Sequence, residues 1–286
     1  MNRLINANFV RLFKSLIFKL AMAFSIGLGI FCVLMRYIDI KKNADAYARL
    51  GESRFTSVDG LIFVGGMYLI FAAAVLVGIF VGTEYSDGTI RNKIVVGRTR
   101  PSIYISNLIT CVVANLIIHL SYIVTVLILG NIILTPTDLS IKQILLLTFL
   151  SCLAMIAITA IFLLLSMLIQ SKAVASVVIL IVTIVLFCTS LTIDNKLRQP
   201  EYYDSYSITN EEEETTEFIK EKNPNYLTGT KLKVYEFLND FIPSSQIYQV
   251  AMEESDKAGQ KAGYSCIILL ITTGIGILVF RKKDLK

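Results

Sequence analysis

The residues best suited to chemistry lie in a polar loop that follows the second apolar block of the sequence. Glu84 and Asp87 come first, then the pair Gly88 and Thr89. Four basic residues follow: Arg91, Lys93, Arg98 and Arg100. Carboxylates and cations at this spacing form ion pairs with each other or with a partner, and they supply neither a nucleophile with its base nor a metal-ligand set. The loop therefore predicts a docking element and no catalytic residue.

The same loop has the pattern of one short helix over residues 89–96. Ile90 and Ile94 are four residues apart, so they share a face that can rest on the membrane or on other helices. Gly97 is suited to end this helix, and Pro101 suits the first turn of the next one. The pattern predicts a short helix with an apolar face and charged flanks, held beside the membrane.

A second polar group follows one face of the third apolar block. Its members fall within about 120° of each other around a helix: Asn107, Cys111, Asn115, His119, Tyr122 and Thr125. In lipid these groups must face protein or water, because an unsatisfied polar group there is costly. Two interpretations are open: hydrogen-bonded packing between helices, or the lining of a translocation path. The candidate path residues are Asn107, Asn115, His119, Tyr122 and Thr125.

Several motifs that would give the chain its own energy source or catalysis are absent. There is no phosphate-binding G-x-x-x-x-G-K-[ST] loop, no H-E-x-x-H and no G-x-S-x-G. The interiors of the apolar blocks hold no Asp or Glu that could relay protons. The five cysteines all fall inside these blocks without metal-ligand spacing. We expect no metal, no bound cofactor and no enzyme activity in this chain, so energy must come from a partner.

The elements that position these residues are membrane-spanning helices. The chain of 286 residues is 55% hydrophobic and 17% charged, whereas soluble domains carry about 25% charged residues. Its mean hydropathy is +0.66. Six apolar blocks are long enough to cross a bilayer: 16–37, 61–82, 103–129, 143–169, 173–193 and 263–280. Four glycines in the second block permit close helix approach or local bending: Gly65, Gly66, Gly78 and Gly82.

The distribution of charge predicts which side of the membrane each loop occupies. With cytoplasmic termini, the inside segments hold 13 of the 27 basic residues and only three of the 22 acidic ones, a net charge of +10. The longer outside segments then carry a net charge of −5. Basic residues in short loops stay on the cytoplasmic side. We therefore expect both termini in the cytoplasm, and the basic balance reflects topology and no nucleic-acid binding.

Three further segments complete the predicted domain, which spans 1–286 as a single unit. Residues 1–19 have the pattern of an amphipathic helix in the membrane interface. Its apolar face holds Ile5, Phe9, Leu12, Phe13 and Leu16, and Arg3, Arg11 and Lys14 lie opposite. An alternative is a simple extension of the first span. Segment 194–262 is predicted to be extracellular, with an acidic run at 211–214 and an amphipathic helix that ends at Pro243.

The loop at 83–101 resembles that of the ABC-2 type permeases, the transmembrane subunits of type-2 ABC exporters. In that family the second span runs into E-x-x-x-G-T-I/L followed by basic residues, and this chain has Glu84, Gly88, Thr89 and Ile90 at those places. The resemblance implies a coupling helix that fits a groove on an ATPase subunit. Its candidate residues are Glu84, Asp87, Gly88, Thr89, Ile90, Arg91, Lys93 and Ile94.

The resemblance also implies the rest of the assembly. Two ABC ATPase subunits would bind ATP and Mg²⁺, and a second copy or a related permease would complete the pore in the plasma membrane. The substrate expected is a peptide, an antibiotic or a lipid-like molecule leaving a bacterial cell. Segment 194–262 is longer and more acidic than the family needs, so it does not indicate which substrate. A membrane-bound sensor, a scaffold or a passive channel are the alternatives.

Overall fold

The structure, a computed structural model, describes residues 1–45, 47, 56–203 and 221–283. It consists of helices apart from one two-residue antiparallel ladder between β1 (Tyr202–Tyr203) and β2 (Glu221–Lys222). The helices are α1 (Asn2–Lys14), α2 (Leu16–Lys42), α3 (Gly65–Ser86), α4 (Thr89–Val95), α5 (Arg100–Ile133), α6 (Ile141–Leu168), α7 (Lys172–Leu197), α8 (Gly229–Phe241), α9 (Pro243–Ala251) and α10 (Ala258–Lys282). The acidic run predicted at 211–214 lies outside the described residues.

Within the described part of the chain, six helices are long and apolar enough to cross a membrane: α2, α3, α5, α6, α7 and α10. The predicted number of spans and the helical class are confirmed, and the chain has the architecture of a multi-pass membrane protein. The ends differ in detail. The second span begins at Gly65 and not at 61, because residues 61–64 form turns. The third span has 34 residues, about 51 Å, which exceeds the ~30 Å of a hydrocarbon core.

One end of the helix bundle carries α1, α4 and the described parts of both chain ends, and we call it the loop end. There the Asn8 side chain contacts Ser106 near the start of α5. The Arg100 guanidinium donates to the carbonyls of Phe280 and Arg281, 3.1 and 2.9 Å away, and so closes the last turn of α10. A cation at this place satisfies unpaired carbonyls and complements the helix dipole. The loop end is therefore tied together by contacts between distant parts of the sequence.

Helix α3 is the central helix of the bundle, and 14 of its 22 residues are buried. Its glycines allow the close approach that the sequence predicts. A Cβ placed on Gly78 would come within 3.0 Å of the Ser176 backbone, and one on Gly82 within 2.8 Å of the Lys172 backbone. Both neighbours are in the first turns of α7, so α3 and α7 touch nearly backbone to backbone.

The opposite end of the bundle carries α8 and α9 between the fifth and sixth spans. Helix α8 ends just before Pro243, as predicted, and α9 begins there. The Ser244 hydroxyl lies 2.7 Å from that of Ser190 and so joins α9 to α7. The turn that precedes α3 is also packed into this end, because the Asp59 carboxylate accepts hydrogen bonds from the backbone N–H of Asp138 at 3.0 Å and from Thr137.

Helix α1 is a separate helix and not an extension of the first span. Ser15 breaks the chain in an extended conformation, with φ −71° and ψ 137°, and its hydroxyl accepts the Phe18 N–H that begins α2. The predicted assignment of faces is partly wrong. The side buried against α5 is Leu4, Asn8 and Leu12, and Phe13 is exposed. Leu4, Asn8 and Leu12 are four residues apart and share one face of α1, and this face packs against α5.

Candidate functional site

Glu84 is the centre of the candidate site. It lies one turn from the end of α3, and its side chain has no exposed surface. Its Oε1 atom accepts the Arg11 guanidinium of α1 at 2.7 Å and the Lys93 ammonium of α4. Its Oε2 atom accepts the Asn107 amide of α5 at 2.6 Å. One carboxylate thus joins four helices.

A second layer of hydrogen bonds closes this network. The Asn8 amide donates to the Asn107 carbonyl oxygen at 2.7 Å and to the Ser106 hydroxyl at 2.9 Å. The Asn8 carbonyl oxygen in turn accepts from the Lys93 ammonium at 3.0 Å. We call Asn8, Arg11, Glu84, Lys93 and Asn107 the Glu84 hub. Charge-assisted bonds of this kind are the stronger ones, and a connected buried network holds its members in one arrangement.

The charges and contacts of the Glu84 hub hold its carboxylate in place. Arg11 and Lys93 together carry one positive charge more than Glu84 balances. The Arg11 guanidinium also lies over the Phe80 ring, 3.9 Å from its centroid, which adds a cation–π contact. Burial lowers the pKa of Lys93, and the neighbouring Glu84 carboxylate opposes that change. Removing the carboxylate would leave both cations without their anion, which is costly for a buried group.

The backbone of the loop explains how α4 is brought onto the hub. Gly88 has a φ of +66°, and this left-handed conformation turns the chain sharply from α3 into α4. Gly97, with a φ of +84°, ends α4 through bonds from its N–H to Ile94 and from the Arg98 N–H to Lys93. The short helix predicted at 89–96 is therefore confirmed, one residue shorter at its end.

The predicted coupling residues divide between two faces of α4 and its flanks. Ile90 is buried and Ile94 is half-buried against the bundle, on the face that contributes Lys93 to the hub. Thr89 and Gly88 are partly exposed, while Asp87 and Arg91 are exposed. Glu84 faces entirely inward, so its part in any coupling is to position α4 and not to touch a partner.

The outward face of α4 carries residues that the sequence patterns did not single out. Val95 is 84% exposed and Val96 is 76% exposed, beside exposed Arg91 and Asn92. Two neighbouring valines this exposed next to a cation form a small apolar contact surface. The chain also places Asn8 and Arg11 in the hub. Asn8 could have been found from its place between Leu4 and Leu12, but Arg11 gave no signal in the sequence.

The polar stripe of α5 makes contacts with neighbouring segments along the bundle. Asn115 donates to the Thr159 hydroxyl at 2.9 Å, and the His119 Nε2 atom lies 3.0 Å from the Ser151 hydroxyl, both on α6. Tyr122 donates to the Leu61 carbonyl at 2.8 Å. These are the contacts expected of hydrogen-bonded helix packing.

Thr125 and Asn107, two further members of the stripe, are bonded within the chain as well. Thr125 donates to the Ser121 carbonyl of its own helix at 2.7 Å, and Asn107 belongs to the hub. The path-lining role of Asn107, Asn115, His119, Tyr122 and Thr125 stays a prediction. Among the described residues, no group of three or more His, Cys, Asp or Glu side chains comes together that could hold a metal ion.

No protein-family model matches the chain, and a search of the curated proteins finds no match.

Proposed function

We propose that this chain is the transmembrane permease subunit of an ABC exporter of the ABC-2 type. It would move a peptide, an antibiotic or a lipid-like substrate out of a bacterial cell with ATP hydrolysed by a separate subunit. The loop end would face the cytoplasm, with the termini and α4, and segment 194–262 would face outward. Two ATPases and a second permease, identical or related, would complete the assembly in the plasma membrane.

The observation that carries the proposal is the Glu84 hub together with the exposed tip of α4. The tip, Val95 and Val96, is available to a partner, while the opposite face of the same helix is bonded to α3 through Glu84 and to α1 through Asn8. A push on α4 would therefore reach the central spanning helix directly. A scaffold that only recruits partners has no need for such a connection, and this favours a transporter.

The resemblance of the loop supports the identity of the partner. The Glu84, Gly88, Thr89 and Ile90 pattern and its basic flank resemble those of a coupling helix that fits an ATPase groove. The absence of a phosphate-binding loop from the sequence agrees with hydrolysis in another subunit. An exporter also fits six spans with a short helical pair, α8 and α9, between the last two.

The docking role of the α4 tip is tested by Val95→Gln combined with Val96→Gln. Both side chains are exposed, so we expect an unchanged unfolding temperature of the isolated chain, whereas association with the ATPase should weaken by about tenfold or more. Binding is measured by titrating the purified ATPase onto the chain in nanodiscs. Asn92→Gln, an exposed change on the same helix, is the matched control and should bind normally. Equal affinity of the double variant and the control would contradict the docking role.

A further inference from the structure

A groove runs along the surface of the bundle between α2 and α3. Although α3 is mostly buried, one stripe of it stays partly open: Tyr68, Phe71, Ala72, Val75, Ile79 and Thr83. Leu16, Ile17, Leu20 and Phe24 of α2 form the other wall. The stripe covers 15 residue steps, about 22 Å. That is longer than the ~15 Å depth of one leaflet of the hydrocarbon core.

Two neighbouring cavities that share lining residues make up the groove. Its part nearest the loop end has a volume of about 350 Å³, and the part above it about 280 Å³. Ile17 and Leu20 line both parts. The walls are almost entirely apolar, so a hydrocarbon chain fits them and a polar ligand does not.

The mouth of the groove at the loop end is basic. Arg11 and Ser15 line it, and the exposed Lys14 and Lys19 are each next in sequence to a lining residue, Ser15 and Leu20. Among the described residues, neither lysine makes an ion pair, and the Arg11 Nε and Nη2 atoms are buried without a hydrogen-bond partner. The hub already holds one more positive charge than negative. The first turn of α2 also begins here, and its N–H groups add positive potential.

An apolar groove of acyl-chain length, with Arg11 at its mouth and two exposed lysines nearby in sequence, has the chemistry of an anionic phospholipid site. We infer that the α2–α3 groove binds an anionic phospholipid, with one acyl chain along the Tyr68–Thr83 stripe and the phosphate beside Arg11, Lys14 and Lys19. The inference is independent of the proposed function, because it requires only that these helices span a bilayer.

A lipid bound in the groove would also contact the Glu84 hub. Arg11 belongs both to the mouth of the groove and to the Glu84 hub, since its Nη1 atom bonds Glu84 at 2.7 Å. A phosphate beside its guanidinium balances the positive charge that Glu84 leaves over. The lipid therefore stabilises the position of α1 against α3.

The sequence contains no tryptophan, so a single introduced tryptophan reports on one place only. Leu20→Trp puts it in the groove, at a side chain that is 55% exposed. Val177→Trp is the matched control, because Val177 is also 55% exposed and lies at a similar distance from the loop end on α7. The full-length chain is reconstituted in phosphatidylcholine liposomes with rising fractions of brominated phosphatidylglycerol or brominated phosphatidylcholine, which quench a tryptophan that they touch.

We expect brominated phosphatidylglycerol to quench Leu20→Trp at a mole fraction at least about fivefold lower than brominated phosphatidylcholine, since a single basic residue at an anionic surface contributes about that factor. The two lipids should quench Val177→Trp equally. Adding Lys14→Gln and Lys19→Gln to Leu20→Trp should reduce the preference, while Arg11 retains part of it. Phe24→Trp, an aromatic replacement in the same groove, is a second reporter should Leu20→Trp fold poorly.

Three outcomes would overturn the inference. Equal quenching of the groove reporters by both lipids would show that the site does not select an anionic headgroup. The same preference at Val177→Trp, or one that neutralising both lysines leaves undiminished, would assign it to the bilayer in general. Groove reporters that neither lipid quenches, beside a quenched Val177→Trp, would show that protein covers the groove, as in an interface with a second copy of the chain.

Discussion

Glu84→Gln is expected to lower the free energy of unfolding of this chain by about 3 kcal/mol or more, because breaking a buried ion pair costs about 3–5 kcal/mol. Glutamine keeps the size of the side chain and can still accept from Asn107. It removes the negative charge that Lys93 and Arg11 share, and Lys93 is largely buried. The loss is measured by unfolding the purified chain in mixed detergent micelles with rising dodecyl sulfate.

Asp87→Asn is the matched control for Glu84→Gln. Asp87 is three residues further on and exposed, and its carboxylate accepts only the neighbouring Ser86 hydroxyl among the hydrogen bonds that the structure gives. An exposed group of this kind contributes little, so the variant should unfold within about 0.5 kcal/mol of the parent. Similar losses for the two variants would contradict the central place of Glu84.

A double-mutant cycle separates the ionic contribution of Lys93 to the Glu84 hub from the contribution of its packing. Lys93→Met alone removes a cation but keeps the apolar stem, and it leaves Glu84 with Arg11 and Asn107. In the Glu84→Gln background the same change removes a buried cation that has lost its anion. We therefore expect Lys93→Met to be destabilising in the parent and neutral or stabilising in the Glu84→Gln variant. Additive effects of the two changes would show that they do not interact.

The second large effect is expected from Gly82→Val, which should destabilise the chain by about 1–3 kcal/mol. The added side chain would meet the backbone of Lys172 at 2.8 Å, and backbone cannot rotate away as a side chain can. Helix α3 would then move away from α7, together with Glu84 two residues further along. The same micelle titration measures the loss, and Gly78→Val against Ser176 should act in the same direction.

Gly27→Ala and Gly274→Ala are the controls for the glycine variants. Each glycine is inside a spanning helix, and a Cβ at either place meets nothing within 4 Å. Alanine is the better helix former, so these variants should be as stable as the parent or slightly more stable. If Gly82→Val were as stable as Gly27→Ala, the close contact between α3 and α7 would be contradicted.

The parts of the fold that follow from local pattern could be predicted from the sequence. Six spans follow from the length of the apolar blocks, and α4 follows from Ile90, Ile94 and Gly97. The sequence predicts the second span from residue 61, because residues 61–64 are apolar. In the structure they form turns at the opposite end of the bundle, and α3 begins at Gly65. Hydrophobicity gives the extent of an apolar segment, whereas turn geometry depends on what that segment contacts.

Only the local contacts of the candidate site could be predicted from the sequence, because the others depend on how distant helices pack. Glu84 and Lys93 are nine residues apart in one loop, so their pairing is within reach of sequence reasoning. Asn8 and Asn107 are 99 residues apart, and their bond arises only when α1 packs on α5. The sequence pattern placed Arg11 on the polar face of an amphipathic helix. Nothing in the neighbouring sequence indicates that Arg11 pairs with a buried carboxylate on α3.

The most direct test of the account is the rate of ATP hydrolysis by the chain together with its ATPase in proteoliposomes. The chain is purified from its native membranes with the proteins bound to it, and hydrolysis is compared for the parent, Glu84→Gln and Asp87→Asn below their unfolding temperatures. The account predicts that a P-loop ATPase co-purifies, that Glu84→Gln keeps this complex, and that it lowers substrate-stimulated hydrolysis by roughly tenfold while Asp87→Asn does not. Absence of any P-loop ATPase, or equal hydrolysis by the two variants, would contradict it.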